Sequence, residues 1–112
     1  MPREDEDFLS DMHSYANDAL DFTEGLSFTE FVRSGVHHRA ACHAMIIIGE
    51  AASQLSDDVR QSNPHIEWGR ITGMRNRLVH GYFDTDLDIV WRTIHDDLPA
   101  LIAQLEPLVQ DA

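Results

Sequence analysis

The chain has 112 residues, 43% of them hydrophobic, and a formal net charge of -12. That length suits one domain with a single core, here residues 1–112. No apolar run approaches the ~20 residues of a membrane span, and the acidic start, Met1 to Asp7, lacks the basic-then-apolar pattern of a signal peptide. A cytoplasmic protein with no membrane contact is therefore expected. The one cysteine, Cys42, excludes an internal disulfide. All eight basic residues are Arg, and Asp outnumbers Glu thirteen to seven. So acidic a surface disfavours binding of nucleic acid by general counterion release, and any RNA contact needs a local positive patch.

Phe8, Met12, Tyr15, Ala19 and Phe22 recur at helical spacing, which predicts a first helix from about Glu4 to Glu24, stopped by Gly25. Ser27-Phe28-Thr29-Glu30 spells a capping box, so a short helix starts at Phe28. Ser34-Gly35 interrupts it. Val36 to Leu55 reads as an almost wholly buried helix, which needs cover on more than one side from its own bundle or from a second subunit. Ser56-Asp57-Asp58 caps another short helix, and Asn63-Pro64-His65 forms a loop. A helix follows from about Glu67 to His80 and ends at Gly81. Asp84 and Asp86 are N-cap candidates for the last helix, which carries Leu87, Val90, Trp91, Ile94, Leu98, Leu101, Ile102, Leu105 and Leu108. Pro99 is expected to kink or restart that helix, because it lacks an amide donor and crowds the carbonyl of His95. Nothing reads as a strand. The fold class is all-α: an antiparallel bundle of about four to five helices.

The stretch Arg75-Asn76-Arg77-Leu78-Val79-His80-Gly81-Tyr82 concentrates the reactive side chains. Histidine, with an unperturbed pKa of about 6.5, can give or take a proton near neutrality. Arginine offers a fixed fork to phosphoryl oxygens. Asn76 can hydrogen-bond a phosphate or the imidazole. Together they are groups suited to proton transfer and to contact with a phosphate. On an ideal helix Asn76 and His80 share a face, whereas Arg75 stands about 140° around the axis from His80. The plainer alternative is also open: His80 as a cap at the helix's negative end, with Arg75 and Arg77 as surface charges favoured by the dipole.

Arg75, Asn76, His80 and Tyr82 resemble the R-x4-H-x-Y signature of the HEPN superfamily, in its HepT-like toxin branch. The flanking stretches Ile46 to Leu55, Gly73 to Phe83 and Asp88 to Trp91, and Asp97-Leu98-Pro99, look like the same family. The resemblance implies an all-α homodimer and a metal-independent endoribonuclease with no cofactor. It implies that paired Arg/His motifs face one another across the dimer cleft. It also implies a partner, an MNT-type nucleotidyltransferase antitoxin that adenylylates the motif tyrosine, here Tyr82. Arg75, His80 and Asn76 are then the catalytic candidates, and Arg77 and Arg70 the candidates for holding RNA. Tyr82 as a simple packing residue remains an alternative. The competing function is a catalytically silent helical module that binds a nucleotide or docks the nucleotidyltransferase.

Other residues are weaker candidates. His37, His38, Cys42 and His43 have partial metal-ligand spacing, but no second cluster completes a set. Glu50 stands in an apolar run; if buried it calls for a partner, for which an arginine of the 75–77 region is the first choice, and a plain carboxylate at an exposed edge is an equal alternative. Trp68 and Trp91 are expected as core or interface anchors.

Overall fold

The computed structural model describes residues 4–81 and 86–109. Tyr82, Phe83, Asp84 and Thr85 lie outside the described residues, and with them the modification candidate and one cap candidate. The described residues form helices α1 (Asp5–Thr23), α2 (Phe28–Arg33), α3 (Gly35–Gln54), α4 (Asp57–Ser62), α5 (Trp68–His80), α6 (Leu87–Arg92) and α7 (Leu98–Val109), with no strand among them. A π-helical turn, Thr93–Asp97, joins α6 to α7, so four long rods carry the bundle and α2 and α4 are short connectors.

Local chemistry sets the breaks. Gly25 follows α1 with φ at 78°, a left-handed conformation that favours glycine. Ser27 and Glu30 form the reciprocal capping box that starts α2. Ser34 closes α2 and accepts the His37 N–H at the start of α3. Asp86 caps α6 by accepting the Asp88 N–H at 3.0 Å. Pro99 stands just beyond the π turn, where the Leu98 N–H reaches back five residues to the Thr93 carbonyl. The wider turn relieves the crowding that a proline imposes on a regular helix, so the rod continues instead of breaking.

α1 runs antiparallel to α3, because Asp5 at its start meets Ser56 just past the end of α3. It also runs antiparallel to α7, with His13 against Glu106 and Thr23 against His95. Alanines let the rods approach: Ala16 and Ala19 of α1 and Ala41, Ala44, Ala51 and Ala52 of α3 are all buried. Met12, Phe31, Ile48, Val90, Ile94 and Leu105 fill the space between them. α3 departs from the sequence expectation of near-complete burial. It is covered by α1 and α5, but Val36, Arg39 and His43 are exposed, since the bundle leaves one flank of its N-terminal half open.

Asp5 accepts from both the backbone N–H (2.9 Å) and the hydroxyl (2.6 Å) of Ser56. These bonds hold its carboxyl below the ordinary 3.8. A carboxylate depressed by folding adds stability above its unfolded pKa and loses it as pH falls through the folded value. Asp5→Asn is therefore expected to destabilise the protein at pH 6, by at most about 1 kcal/mol after solvent screening. The gap from wild type should narrow as pH falls below 3.8 in a calorimetric pH series.

Candidate active site

The C-terminal turns of α5 face α6 across a cleft of about 400 Å³. Met74, Arg77, Leu78, His80 and Gly81 form one wall, and Asp86, Ile89 and Val90 the other. Leu78 and Val90 are buried and anchor the walls to the core, while Arg77 and His80 are exposed. Among the described residues no ion-pair or hydrogen-bond partner engages either side chain, so both are open to a ligand. Gly81 closes the helix tightly: its N–H donates to the Arg77 carbonyl at 2.8 Å, and a β-carbon there would lie 2.8 Å from that oxygen. Its φ of -104° needs no left-handed geometry; close approach is what demands the missing side chain.

Arg75 goes elsewhere. It is mostly buried, and its Nη1 donates to Glu50 Oε1 at 2.8 Å, the pairing that the lone carboxylate in α3 called for. The Arg75 Nε is buried without a partner. Its stem crosses α3 at Gly49, where a β-carbon would come 2.2 Å from Arg75 Cβ. One chain thus places His80 and Arg77 on the cleft side of α5 and Arg75 on the α3 side, following the angular offset of a regular helix. Asn76 is exposed.

Arg70 lines a second cleft, about 370 Å³, with Met45, Ile48, Met74, Asp96 and Leu101. Its guanidinium is held by Glu67 at 3.2 Å and Asp97 at 3.1 Å. The structure therefore does not bring Arg70 to His80, and a phosphate there would compete with two carboxylates. Trp68 donates its indole N–H to the Asn63 carbonyl, and Trp91 lies against Phe28, Phe31 and His95, so both serve as packing anchors. Among the described residues no group of three or more His, Cys, Asp or Glu gathers to hold a metal ion. The Cys42 thiol is pushed up by burial, which makes it a poor nucleophile or ligand. Sequence reasoning missed Asp86 and Ile89 as the far wall, because nothing local ties α6 to α5. It also missed Gly49 as the crossing point, although a glycine inside an otherwise unbroken apolar helix was a signal for a close neighbour.

An all-α bundle with an open imidazole and guanidinium at the end of one helix fits an RNA-cleaving protein. A family model described as ribonuclease HepT-like matches residues 12–108. A protein of Methanocaldococcus jannaschii named as a candidate RNase is 33% identical over 112 residues, covering 99% of this chain and 97% of its own. One of Thermococcus cleftensis named as a candidate ribonuclease HepT is 32% identical, over 96% of this chain and 98% of its own. One of Caldanaerobacter subterraneus, also named as a candidate RNase, is 35% identical over 81% of each. No solved structure gives a significant match. The chain belongs to the HepT-like ribonuclease family, and its class is that of an all-α endoribonuclease of HEPN type.

Proposed function

We propose that the chain is the toxin of a toxin–antitoxin pair, a metal-independent endoribonuclease whose active site is completed by a second copy. The observation that carries this reading is the division of the motif within one chain. One imidazole and one free guanidinium stand at the cleft, while Arg75 is tied to Glu50 on the other flank of α5. Cleavage through the 2′-hydroxyl needs a base for that hydroxyl and an acid for the departing 5′-oxygen. A two-fold dimer provides both without further sequence. His80 takes the 2′-proton as the oxygen attacks phosphorus, and the partner's His80 gives a proton to the 5′-oxygen as its bond to phosphorus breaks. A 2′,3′-cyclic phosphate is left. Arg75, brought to the cleft from the neighbouring copy, and Arg77 neutralise the phosphorane, and Asn76 hydrogen-bonds the phosphate or holds the ring.

The restraint in this reading is an MNT-type nucleotidyltransferase antitoxin that transfers AMP to Tyr82. A bulky anion two residues from His80 would occupy the cleft by charge and by volume. Co-expression with a cognate MNT-type nucleotidyltransferase, read by intact-mass spectrometry, tests it. Wild type is expected to gain mass in units of AMP and lose RNA cleavage in EDTA. Tyr82→Phe should stay unmodified and toxic. An unmodified and uninhibited wild type would overturn the modification; an unmodified but silenced one would point to inhibition by docking.

The net charge of -12 favours the second reading, a silent module that docks the nucleotidyltransferase or holds a nucleotide. It predicts partner binding with no RNA cleavage at any salt.

A further inference from the structure

Four of the arginines among the described residues are held by carboxylates: Arg60 by Asp57, Arg70 by Glu67 and Asp97, Arg75 by Glu50, and Arg92 by Asp88. Three are not. Arg77 lines the His80 cleft, and the other two, Arg33 and Arg39, flank the Ser34 break between α2 and α3. Arg39 folds back over that break, with Nη1 2.8 Å from where a β-carbon of residue 35 would stand. The Arg39 charge also reaches His38, whose pKa is lowered first by burial and then by that guanidinium. No Asp or Glu occurs from Phe31 through Gly49, nineteen consecutive positions of a chain with twenty acids. Among the described residues neither Arg33 nor Arg39 is paired with a carboxylate, and Glu30, three residues before Arg33, is engaged by the Ser27 N–H.

The same corner exposes apolar surface: Val36 is 78% exposed, Val32 40% and Phe28 37%. It also adjoins the candidate active site. Phe28 and Phe31 lie 5.9 Å and 5.1 Å from Trp91, ring centre to ring centre. Trp91 follows Ile89 and Val90, which form the far wall of the His80 cleft. Only α6 separates the two surfaces, a helix spacing of about 10 Å.

We propose that the α2–α3 corner is a substrate subsite that holds single-stranded RNA flanking the scissile phosphate. Arg33 and Arg39 take backbone phosphates, and Phe28, Val32 and Val36 give an apolar face to an adjoining base. Positive charge beside aromatic and apolar surface is how proteins hold single strands without reading sequence. The corner resolves how a chain of net charge -12 binds a polyanion: its global field repels RNA, so affinity must come from a local unneutralised patch next to the reacting centre. The proposal rests on the ribonuclease reading, and its test separates the two.

The experiment compares purified wild type with Arg33→Ala/Arg39→Ala and with the charge-reversed Arg33→Glu/Arg39→Glu. The probes are a fluorescein-labelled twelve-nucleotide oligouridylate and the dinucleotide UpA. Binding is read by anisotropy from 50 to 300 mM salt in a His80→Ala background, and cleavage is read in EDTA. For the alanine pair, KM on the twelve-mer should rise about 10-fold with kcat unchanged, and the slope of log affinity against log salt should flatten by about 1.4. Cleavage of UpA, too short to reach the corner, should not change. Charge reversal should weaken the twelve-mer further. Unchanged KM and salt slope on the twelve-mer would overturn the subsite while leaving the nuclease reading intact. Loss of affinity for the nucleotidyltransferase alone, with RNA binding unaltered, would overturn it in favour of a protein-docking surface. If wild type binds the twelve-mer through these arginines but cuts nothing, the subsite stands and the nuclease reading falls.

Discussion

His80→Ala is expected to lower RNA cleavage by about 10²- to 10⁴-fold while leaving the fold unchanged. The range is that of one removed general acid–base group. In the composite arrangement every dimer of the variant loses both the acid and the base, which places the effect toward the upper end. The fold should not notice. His80 is exposed at the end of α5, and among the described residues no hydrogen bond of its side chain is lost. The measurement is cleavage of a labelled RNA in EDTA beside circular dichroism and a melting curve. Cutting at the wild-type rate would remove His80 from the chemistry. Mixing wild type with His80→Ala gives a sharper reading: if one cleft needs the histidines of both copies, heterodimers are inactive and the mixture falls below the activity of its wild-type share. Activity in simple proportion to the wild-type share would speak against the shared site.

Gly49→Ala is expected to destabilise the protein by about 1–3 kcal/mol, the range for overpacking a tight contact, or roughly 5–15 °C in melting temperature. A methyl there would stand 2.2 Å from Arg75 Cβ, 2.9 Å from Arg75 Cγ and 3.2 Å from the Ile71 carbonyl. These are the root of a side chain and a backbone atom, not a flexible tip. α3 and α5 must separate, and the Arg75–Glu50 pair must move with them. Alanine's better helix propensity, worth about 1 kcal/mol, works in the opposite direction and is outweighed. Gly69 and Gly73 are the internal controls, since nothing lies within 4 Å of a β-carbon at either position. Gly69→Ala and Gly73→Ala should be neutral or slightly stabilising. Thermal melts of the three variants decide the matter: a Gly49→Ala protein as stable as Gly73→Ala would mean that the crossing has slack.

Much of the fold was legible because its signals are local. Ser27 with Glu30, Ser34, Ser56 and Asp86 announce helix starts through side-chain to backbone bonds that span two or three residues. The apolar spacing from Val90 to Leu105 placed the buried face of the last rod, since a helix shows its period in sequence. The effect of Pro99 was harder to foresee. A proline can kink, restart or widen a helix, and the choice of a π turn depends on what packs around Trp91 and His95.

The motif itself divides along the same line. By itself the sequence determined that this is an all-α chain with one dense group of phosphate- and proton-handling residues at a helix end. It also determined that Arg75 and His80 stand on different sides of that helix, because five residues of helix leave about 140° between them. Only the tertiary structure decided what each side faces. Glu50, twenty-five positions away, takes Arg75, and α6 supplies the second wall beside His80 and Arg77. Only the tertiary structure, too, gave the Ser34 corner its place, because the packing of Phe31 on Trp91 sets two unpaired arginines one helix away from the cleft. Contacts of this kind are fixed by which rods lie together, and that depends on how alanine- and glycine-lined surfaces such as Gly49 let the backbones approach.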